Sequence, residues 1–272
     1  MTLFQAFILG IVQGLTEFLP ISSSGHLVLV PYLLGWQFPK EQVFIFDVLV
    51  QVGTLAGVIA YFWKDLVKLV VGFFQALFRK DWRDTQFRLA INLVIASIPA
   101  ALAGLLIKDF IESTFHDPGL TGIFLFCTAG LLVIAEKVGK RRKEIEQVGW
   151  LDALVIGIGQ MLAVFPGVSR SGATITGAML RDLKRDDAAR FSFILSIPAM
   201  LGAGVLSLLD IGSVSGLSSF IPALLVGMIT SAVVGYLAIF WLLRFLRSRT
   251  LYPFVWYCLG LGTLILLTIY VF

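Results

Sequence analysis

Residues 10–25 read GIVQGLTEFLPISSSG, and residues 157–172 read GIGQMLAVFPGVSRSG. A shift of 147 positions aligns the two stretches without a gap. Eight of the sixteen aligned positions are then identical: Gly10/Gly157, Ile11/Ile158, Gln13/Gln160, Leu15/Leu162, Phe18/Phe165, Ser22/Ser169, Ser24/Ser171 and Gly25/Gly172. The chain is therefore predicted to be a duplicated unit, forming one domain over 1–272, with repeat 1 at about 1–146 and repeat 2 at about 147–272.

The composition assigns the chain to the membrane. Of 272 residues, 58% are hydrophobic and only 14% are charged, whereas soluble domains carry about 25% charged residues. The modest net charge of +4 is better explained by asymmetry between loops than by nucleic-acid binding, so we expect membrane lipids as partners and no nucleic acid.

Six charge-free windows are predicted to span the membrane, since a span needs about 20 apolar residues. They are 48–63, 89–107, 118–135, 191–209, 220–243 and 250–272. Two further apolar windows, 1–35 and 150–180, are broken by Pro, Gly and Ser. Both break at the same SxSG motif, which favours two re-entrant helical hairpins. Window 1–35 forming one kinked span is the alternative.

Basic clusters indicate which loops face the cytoplasm. Such clusters occur at 64–88, 137–143 and 244–249, whereas 108–117 and 210–219 lack them. We therefore expect both termini to lie outside, and each repeat to contain one hairpin and three spans. Because three is odd, repeat 2 would be inserted upside down. The predicted fold is an all-α polytopic membrane protein with an inverted-topology repeat, in which broken helices meet near the middle of the membrane.

The second broken window carries an anion-binding pattern. Pro166 and Gly167 end one helix, and Ser169 or Ser171 can cap the next. A helix start exposes unpaired N–H groups to an anion, and Arg170 adds a planar charged fork that matches phosphate oxygens. An ordinary capped turn is the alternative, but it does not explain an arginine between two short apolar segments.

The first broken window carries ionisable and hydroxyl groups. Gln13 and Glu17 are four residues apart and therefore share one helix face, and Glu17 is the only formal charge between residues 1 and 39. Glu17 could be an ion-pair partner of Arg170 that holds the hairpins together, alone or as part of a working site. His26 follows Ser23 by three residues and could orient a hydroxyl or move a proton. The serines at 22–24 could merely cap a helix over 26–34, which would occupy only one hydroxyl.

Together the two motifs offer a carboxylate, hydroxyls, an imidazole and a guanidinium. A serine can attack phosphorus if a base takes its proton, and the carboxylate can be that base or can bind a divalent cation. The set fits phosphoryl transfer and equally fits the polar site of a transporter.

The motifs QGLTEFLPISSSGH and PGVSRSGAT resemble the two signature segments of the undecaprenyl pyrophosphate phosphatase family, bacterial membrane enzymes linked to bacitracin resistance. The resemblance runs the full length of the chain and includes the spacing between the motifs. It implies hydrolysis of undecaprenyl diphosphate to the monophosphate and inorganic phosphate, which recycles the lipid carrier of peptidoglycan synthesis. It also implies a location in the bacterial inner membrane, with the active site on the outer, periplasmic side.

The resemblance also assigns roles by position. The catalytic candidates are Glu17, Ser23, His26 and Arg170, with either Ser23 or His26 as the nucleophile and Ser23 favoured. The phosphate-binding candidates are Ser22, Ser169, Arg170, Ser171, Gly172 and Thr174. The supporting candidates are Gln13, Ser24 and Asp47. Mg²⁺ or Ca²⁺ is implied as cofactor, with Glu17 as its ligand and a polyprenyl diphosphate as substrate.

Two other function classes compete with the phosphatase. Inverted repeats are typical of secondary transporters, and a lipid flippase is possible on the same fold. A purely structural membrane protein would leave the intramembrane charges unexplained. The asymmetry of the repeats favours the enzyme, because a nucleophile and a base both occur in the first copy only.

Overall fold

The structure, a computed structural model, describes residues 1–106, 117–210 and 217–271. Within these ranges the chain forms eleven α-helices, one short 3₁₀ helix at Ile145–Gln147 and an isolated bridge between Lys143 and Leu183. The helices are α1 Leu3–Phe18, α2 Ser23–Leu33, α3 Lys40–Tyr61, α4 Trp63–Arg79, α5 Thr85–Leu106, α6 Pro118–Val138, α7 Trp150–Leu162, α8 Arg170–Leu180, α9 Arg185–Asp210, α10 Leu217–Leu246 and α11 Tyr252–Tyr270. The prediction of an all-α protein is confirmed.

Four described helices are long and apolar enough to cross a membrane. They are Thr85–Leu106, Pro118–Val138, Phe220–Leu246 and Tyr252–Tyr270, so the predicted spans 89–107, 118–135, 220–243 and 250–272 are confirmed as apolar helices. The window 48–63 falls in α3, which counts as a fifth span only together with α4. The window 191–209 falls in α9, which is not among these candidates over its described residues.

The segment 64–88 differs from the sequence prediction. It was expected to be a basic loop, but most of it is helix α4, which begins one residue after α3 and is bent from it by 76°. The prediction was based on the charged residues alone. Lys64, Lys68 and Arg79 lie on a single face of the helix, and the other faces are mainly apolar, with Asp65 as the one acidic exception. The loop predicted at 108–117 falls almost entirely outside the described residues, as does much of 210–219.

Both broken windows form two short helices that pack against each other, α1 on α2 and α7 on α8. None of the four is long enough to span alone, since they have 16, 11, 13 and 11 residues. The starts of α2 and α8 are displaced by the same 147 residues that relate the sequences. The helix predicted at 26–34 begins earlier, at Ser23, because the side chain of Ser22 accepts a hydrogen bond from the Gly25 N–H at 3.3 Å and caps the helix.

Shared glycines let each first broken helix approach a long helix closely. A Cβ at Gly10 of α1 would lie 2.7 Å from the Gly227 carbonyl oxygen of α10, and a Cβ at Gly157 of α7 would lie 2.6 Å from the Ala96 carbonyl oxygen of α5. Real Cβ atoms do not approach carbonyl oxygens this closely, so both contacts require glycine. The shared residues of the motif therefore determine how each hairpin packs.

A network of ion pairs ties the end of α6 to the start of α9. The Glu136 carboxylate accepts two hydrogen bonds from Arg185, at 2.8 and 2.6 Å, and one from the Leu251 N–H at 2.8 Å. Nearby, Asp152 pairs with Arg181 at 2.7 Å and with Lys143 at 3.0 Å. These pairs, with the basic loop 139–149, mark what we call the charged end of the molecule.

Candidate active site

The two turn tips contact each other at the start of α2 and of α8. The Ser171 hydroxyl donates to the Leu19 carbonyl at 3.0 Å, and the Arg170 guanidinium pairs with the Glu17 carboxylate. These contacts join residues more than 150 positions apart in sequence. The structure thus brings the motif of the first repeat and the motif of the second repeat together in one polar cluster.

Glu17 is the centre of this cluster. Its side chain is 95% buried, and its carboxylate accepts hydrogen bonds from Ser23 Oγ at 2.6 Å, from Gln13 Nε2 at 2.8 Å and from Arg170. Gln13 reaches it because the two residues are one helical turn apart on α1. A buried carboxylate is tolerated only when its oxygens are hydrogen-bonded and its charge is paired, and these three donors satisfy both conditions.

The Ser23 hydroxyl and the Arg170 guanidinium are the accessible parts of the site. Both side chains are half-buried, whereas Glu17 behind them is buried. Because the Glu17 oxygens only accept, Ser23 Oγ donates its proton toward the carboxylate and keeps its lone pairs free. This is the geometry of a hydroxyl nucleophile with an adjacent base.

His26 is buried, and its ring is hydrogen-bonded to groups other than Ser23. Its Nδ1 lies 2.7 Å from the Ser22 carbonyl oxygen and its Nε2 lies 2.7 Å from Tyr257 Oη. A carbonyl can only accept, so Nδ1 carries the proton, and in the neutral ring Nε2 accepts from Tyr257. The two rings also stack, with centroids 5.6 Å apart. The hydroxyl that His26 contacts is therefore that of Tyr257.

The other serines of the two tips act on backbone groups and on each other. Ser169 caps α8 by accepting from the Gly172 N–H at 3.1 Å, as Ser22 caps α2. Ser169 Oγ also lies 3.1 Å from Ser171 Oγ, and Ser22 Oγ lies 3.3 Å from Ser24 Oγ. Both helix starts thus carry a pair of hydroxyls beside unpaired N–H groups, a typical anion environment.

The Ser22 backbone has an unusual conformation. Its φ of 71° lies in a region that few residues other than glycine adopt. Such outliers cluster at functional sites, where the surrounding structure holds them in place. Here the conformation directs the Ser22 carbonyl toward His26 while its side chain caps α2.

Two predicted site residues lie apart from the open cluster. Thr174 is buried, and its hydroxyl lies 2.6 Å from Ser192 Oγ and donates to the Arg170 carbonyl at 2.7 Å. Asp47 is buried on α3 and makes no hydrogen bond or ion pair with another described side chain or backbone group. Its predicted supporting role remains a prediction.

Sequence reasoning missed Tyr257 and Thr128. Tyr257 lies in the last apolar window, where a tyrosine is easily attributed to the membrane surface. Thr128 lies in α6, donates to the Gly167 carbonyl and accepts from the Ser169 N–H, both at 3.0 Å. It thereby holds the second tip in place. A hydroxyl in the middle of an apolar helix was the available signal for Thr128.

The described residues contain no group of three or more His, Cys, Asp or Glu side chains that could hold a metal by themselves. One further oxygen is available, because Gln13 Oε1 is buried without a hydrogen-bond partner. Mg²⁺ usually binds one or two carboxylates together with substrate phosphates. Glu17 and Gln13 Oε1 fit a cation that is held jointly with a phosphorylated ligand.

The fold and the site define a class of protein. It is a multi-pass helical membrane protein in which a buried carboxylate, a hydroxyl and a guanidinium meet where two broken helices contact each other. Within that class the chain belongs to the family described as bacitracin resistance protein BacA, whose family model matches residues 6–264.

Relatives match over the same length. The chain is 44% identical over 272 residues to an undecaprenyl-diphosphatase of Geotalea daltonii, with 99% of each chain covered. It is 42% identical over 278 residues to that of Thermomicrobium roseum, again with 99% of each covered. It is 43% identical over 267 residues to that of Myxococcus xanthus, covering 98% of this chain and 89% of the relative.

Proposed function

We propose that the protein hydrolyses undecaprenyl diphosphate to undecaprenyl phosphate and inorganic phosphate. Relatives named as undecaprenyl-diphosphatases match nearly the whole chain at 42–44% identity. The observation that carries the proposal is the hydrogen bond of 2.6 Å from Ser23 Oγ to Glu17, whose other oxygen pairs with Arg170. This activity would recycle the lipid carrier for peptidoglycan synthesis and would confer bacitracin resistance.

In the proposed reaction, Ser23 Oγ attacks the terminal phosphorus of the diphosphate while Glu17 takes its proton. The bond between that phosphorus and the bridging oxygen breaks, and undecaprenyl phosphate leaves. Glu17 passes the serine proton to the departing undecaprenyl phosphate and becomes a carboxylate again. Water then attacks the phosphoserine while Glu17 takes one of its protons. The bond from phosphorus to Ser23 Oγ breaks, that proton returns to the serine oxygen, and inorganic phosphate is released. Glu17 is positioned for both steps because Gln13 and Arg170 fix its orientation.

The phosphate groups would be bound by the accessible guanidinium and the two helix starts. Arg170 can donate a fork of hydrogen bonds to phosphate oxygens, and Ser24 adds a hydroxyl at the start of α2. Ser171 at the start of α8 could donate to a phosphate only by giving up its hydrogen bond to the Leu19 carbonyl. In a buried site such preoriented donors stabilise the charge that develops on the phosphoryl oxygens. The caps Ser22 and Ser169, with Gly172, hold the backbone of this cradle.

His26 is the weaker candidate nucleophile. Attack through Nε2 would require breaking its hydrogen bond with Tyr257, and Nδ1 is bound to the Ser22 carbonyl. The Ser23 hydroxyl already donates its proton in a hydrogen bond to Glu17, the proposed base, and its lone pairs are free. We therefore assign His26 to positioning the start of α2 and to proton movement around the cluster.

The proposed cofactor is Mg²⁺ or Ca²⁺, held by Glu17 and Gln13 Oε1 when substrate is present. A divalent cation at this position would neutralise charge on the diphosphate. Addition of EDTA should abolish phosphate release, and Mg²⁺ or Ca²⁺ should restore it. Full activity after exhaustive chelation would exclude this part of the proposal.

The proposed topology has six spans, two re-entrant hairpins and an inverted repeat, in the bacterial inner membrane. It is supported by the displacement of 147 residues between α2 and α8 and by the equivalent contacts of Gly10 and Gly157. Both termini and the site would face the periplasm. Single cysteines at Glu112 and Arg142, in a variant lacking the native cysteines, should react with impermeant reagents from opposite sides. Labelling from the same side would refute the inverted repeat.

The deciding experiment is phosphate release from a prenyl diphosphate by the purified protein in detergent. Wild-type protein should release phosphate, whereas Glu17→Ala and Arg170→Ala should not. Thr268→Val is a control, because among the described residues the Thr268 hydroxyl bonds only to the Leu264 carbonyl of its own helix. A folded wild-type protein that releases no phosphate from any prenyl diphosphate would leave the transporter or flippase as the better explanation.

A further inference from the structure

The helix α4 does not continue the direction of α3. It is bent from α3 by 76°, and by itself it is not among the helices long and apolar enough to cross a membrane. Near its start, Asp65 pairs with Arg190 at 3.4 Å, five residues after Arg185 of the charged end. We therefore do not expect α4 to form a span of its own.

One stripe of α4 packs on the protein. Ala76 is buried, and the ring of Phe73 stacks on that of Phe87 in α5 with centroids 5.2 Å apart. Leu66 and Leu69 line a groove with residues of α5 and α9. This stripe anchors α4 and fixes which of its other faces point outward.

A second stripe of α4 is apolar and is largely uncovered by the described part of the chain. Its members are exposed by 39–83% and include an aromatic residue at each end of the helix. They are Trp63, Val67, Val70, Val71, Phe74, Leu77 and Phe78. An apolar stripe of this length would not remain in water, so it must be covered.

The third stripe is polar and basic. Lys64, Lys68, Gln75 and Arg79 follow a spacing of four, seven and four residues, which places them on one face. All four are exposed. In the described part of the chain, the three cations make no ion pair with a carboxylate. The whole segment 63–88 has six basic and three acidic residues.

We propose that α4 is an interfacial helix whose basic stripe binds the headgroups of anionic phospholipids. Its apolar stripe would enter the boundary between headgroups and acyl chains, and its cations would stay in the headgroup layer. A basic polar face opposite Trp, Phe and Leu is characteristic of helices that lie in this plane. The unpaired positive charge identifies the occupant as an anionic leaflet, since a neutral surface offers no partner for it.

The first test places a fluorescent label on each outward face. Cysteines at Phe78 and at Gln75, in a variant lacking the native cysteines, carry an environment-sensitive dye in nanodiscs. The dye at position 78 should emit at shorter wavelength and be quenched by lipids brominated near the headgroup. The dye at position 75 should behave as in water. Equal, water-like behaviour at both positions would overturn the proposal.

The second test measures lipid selection by native mass spectrometry of protein extracted from mixed phosphatidylcholine and phosphatidylglycerol bilayers. The triple variant Lys64→Gln, Lys68→Gln and Arg79→Gln should lose phosphatidylglycerol enrichment by about fivefold or more. The matched control changes Lys137, Lys140 and Arg142 to Gln, three exposed cations at the charged end that lack carboxylate partners in the described chain. The proposal would be overturned if the triple variant kept its phosphatidylglycerol enrichment, or if the control variant lost as much of it.

A second copy of the chain is the competing occupant of the apolar stripe. It would be revealed by disulfide crosslinking between position-78 cysteines together with absence of lipid quenching there, and that result would also overturn the proposal. None of these measurements uses phosphatase activity, so their outcome is independent of the proposed function.

Discussion

The Ser23 hydroxyl donates a hydrogen bond of 2.6 Å to the Glu17 carboxylate. Glu17 lies one residue before the end of α1 and Ser23 is the first residue of α2, so a turn of four residues brings them together. The turn is held by the cap at Ser22 and by the contact of Leu19 with Ser171 of the other repeat. The proposed nucleophile and base therefore depend on both helix pairs being in place.

Ser23→Ala is expected to lower kcat by at least about 1,000-fold with little change in KM, because it removes the attacking oxygen. Glu17→Gln should lower kcat by about 100- to 10,000-fold, the range for loss of a general base. Phosphate release under saturating substrate measures both, and acid quenching of wild type should trap phosphoserine at position 23. Full turnover by Ser23→Ala would move the nucleophile to another residue.

Tyr257→Phe tests the partner of His26. The variant removes the hydrogen bond to Nε2 but keeps the ring that stacks on the imidazole. We expect kcat to fall by about tenfold, the effect of about 1.4 kcal/mol, while KM and the melting temperature change little. Tyr252→Phe on the same helix is the control, since Tyr252 has no side-chain hydrogen bond in the described chain. Wild-type kcat in Tyr257→Phe would show that this bond has no catalytic importance.

A double variant separates a structural from a catalytic role of the Glu17–Arg170 pair. Arg170→Gln leaves Glu17 buried without a cation, which should cost about 1–3 kcal/mol, less than for a fully buried pair because the Arg170 side chain is 22% exposed. Adding Glu17→Gln removes the buried charge and should restore the melting temperature. Activity should stay absent in both variants. If the double variant regains phosphatase activity, the pair only holds the hairpins together.

Much of the site could be predicted because the duplication marks it. Positions where the repeats agree became caps and close contacts, as for Ser22, Ser169, Gly10 and Gly157. Positions where they differ became chemical groups, as for Glu17 and Arg170. The sequence offered the Glu17–Arg170 pair as one alternative and placed Gln13 on the same helix face as Glu17, but it did not indicate the partner of His26. The Ser23–Glu17 bond requires a tight turn, and the partner of His26 comes from a helix 231 residues away, for which no local pattern exists.

The error at 64–88 has a different physical origin. Charged residues indicate a loop when they cluster in sequence, as at 137–143. In α4 the charges recur with helical spacing and the apolar residues face both protein and surroundings. An amphipathic surface helix combines features of a loop and of a span, and only its periodicity distinguishes it from either.

The close contacts of the shared glycines give a last prediction, on stability. Gly157→Ala places a Cβ 2.6 Å from the Ala96 carbonyl oxygen and 3.0 Å from its Cα. Because both neighbours are backbone atoms, the helices must separate, and we expect a loss of about 1–3 kcal/mol in unfolding free energy. Gly10→Ala should cause a similar loss, because its Cβ would lie 2.7 Å from the Gly227 carbonyl oxygen.

The matched controls are Gly130→Ala and Gly260→Ala, within α6 and α11, where an added Cβ meets nothing within 4 Å. These substitutions should be neutral or should stabilise the protein by up to about 1 kcal/mol. Thermal unfolding in one detergent compares all four. Equal effects at contact and control positions would mean that α1 and α7 do not depend on these close approaches to hold the two tips together.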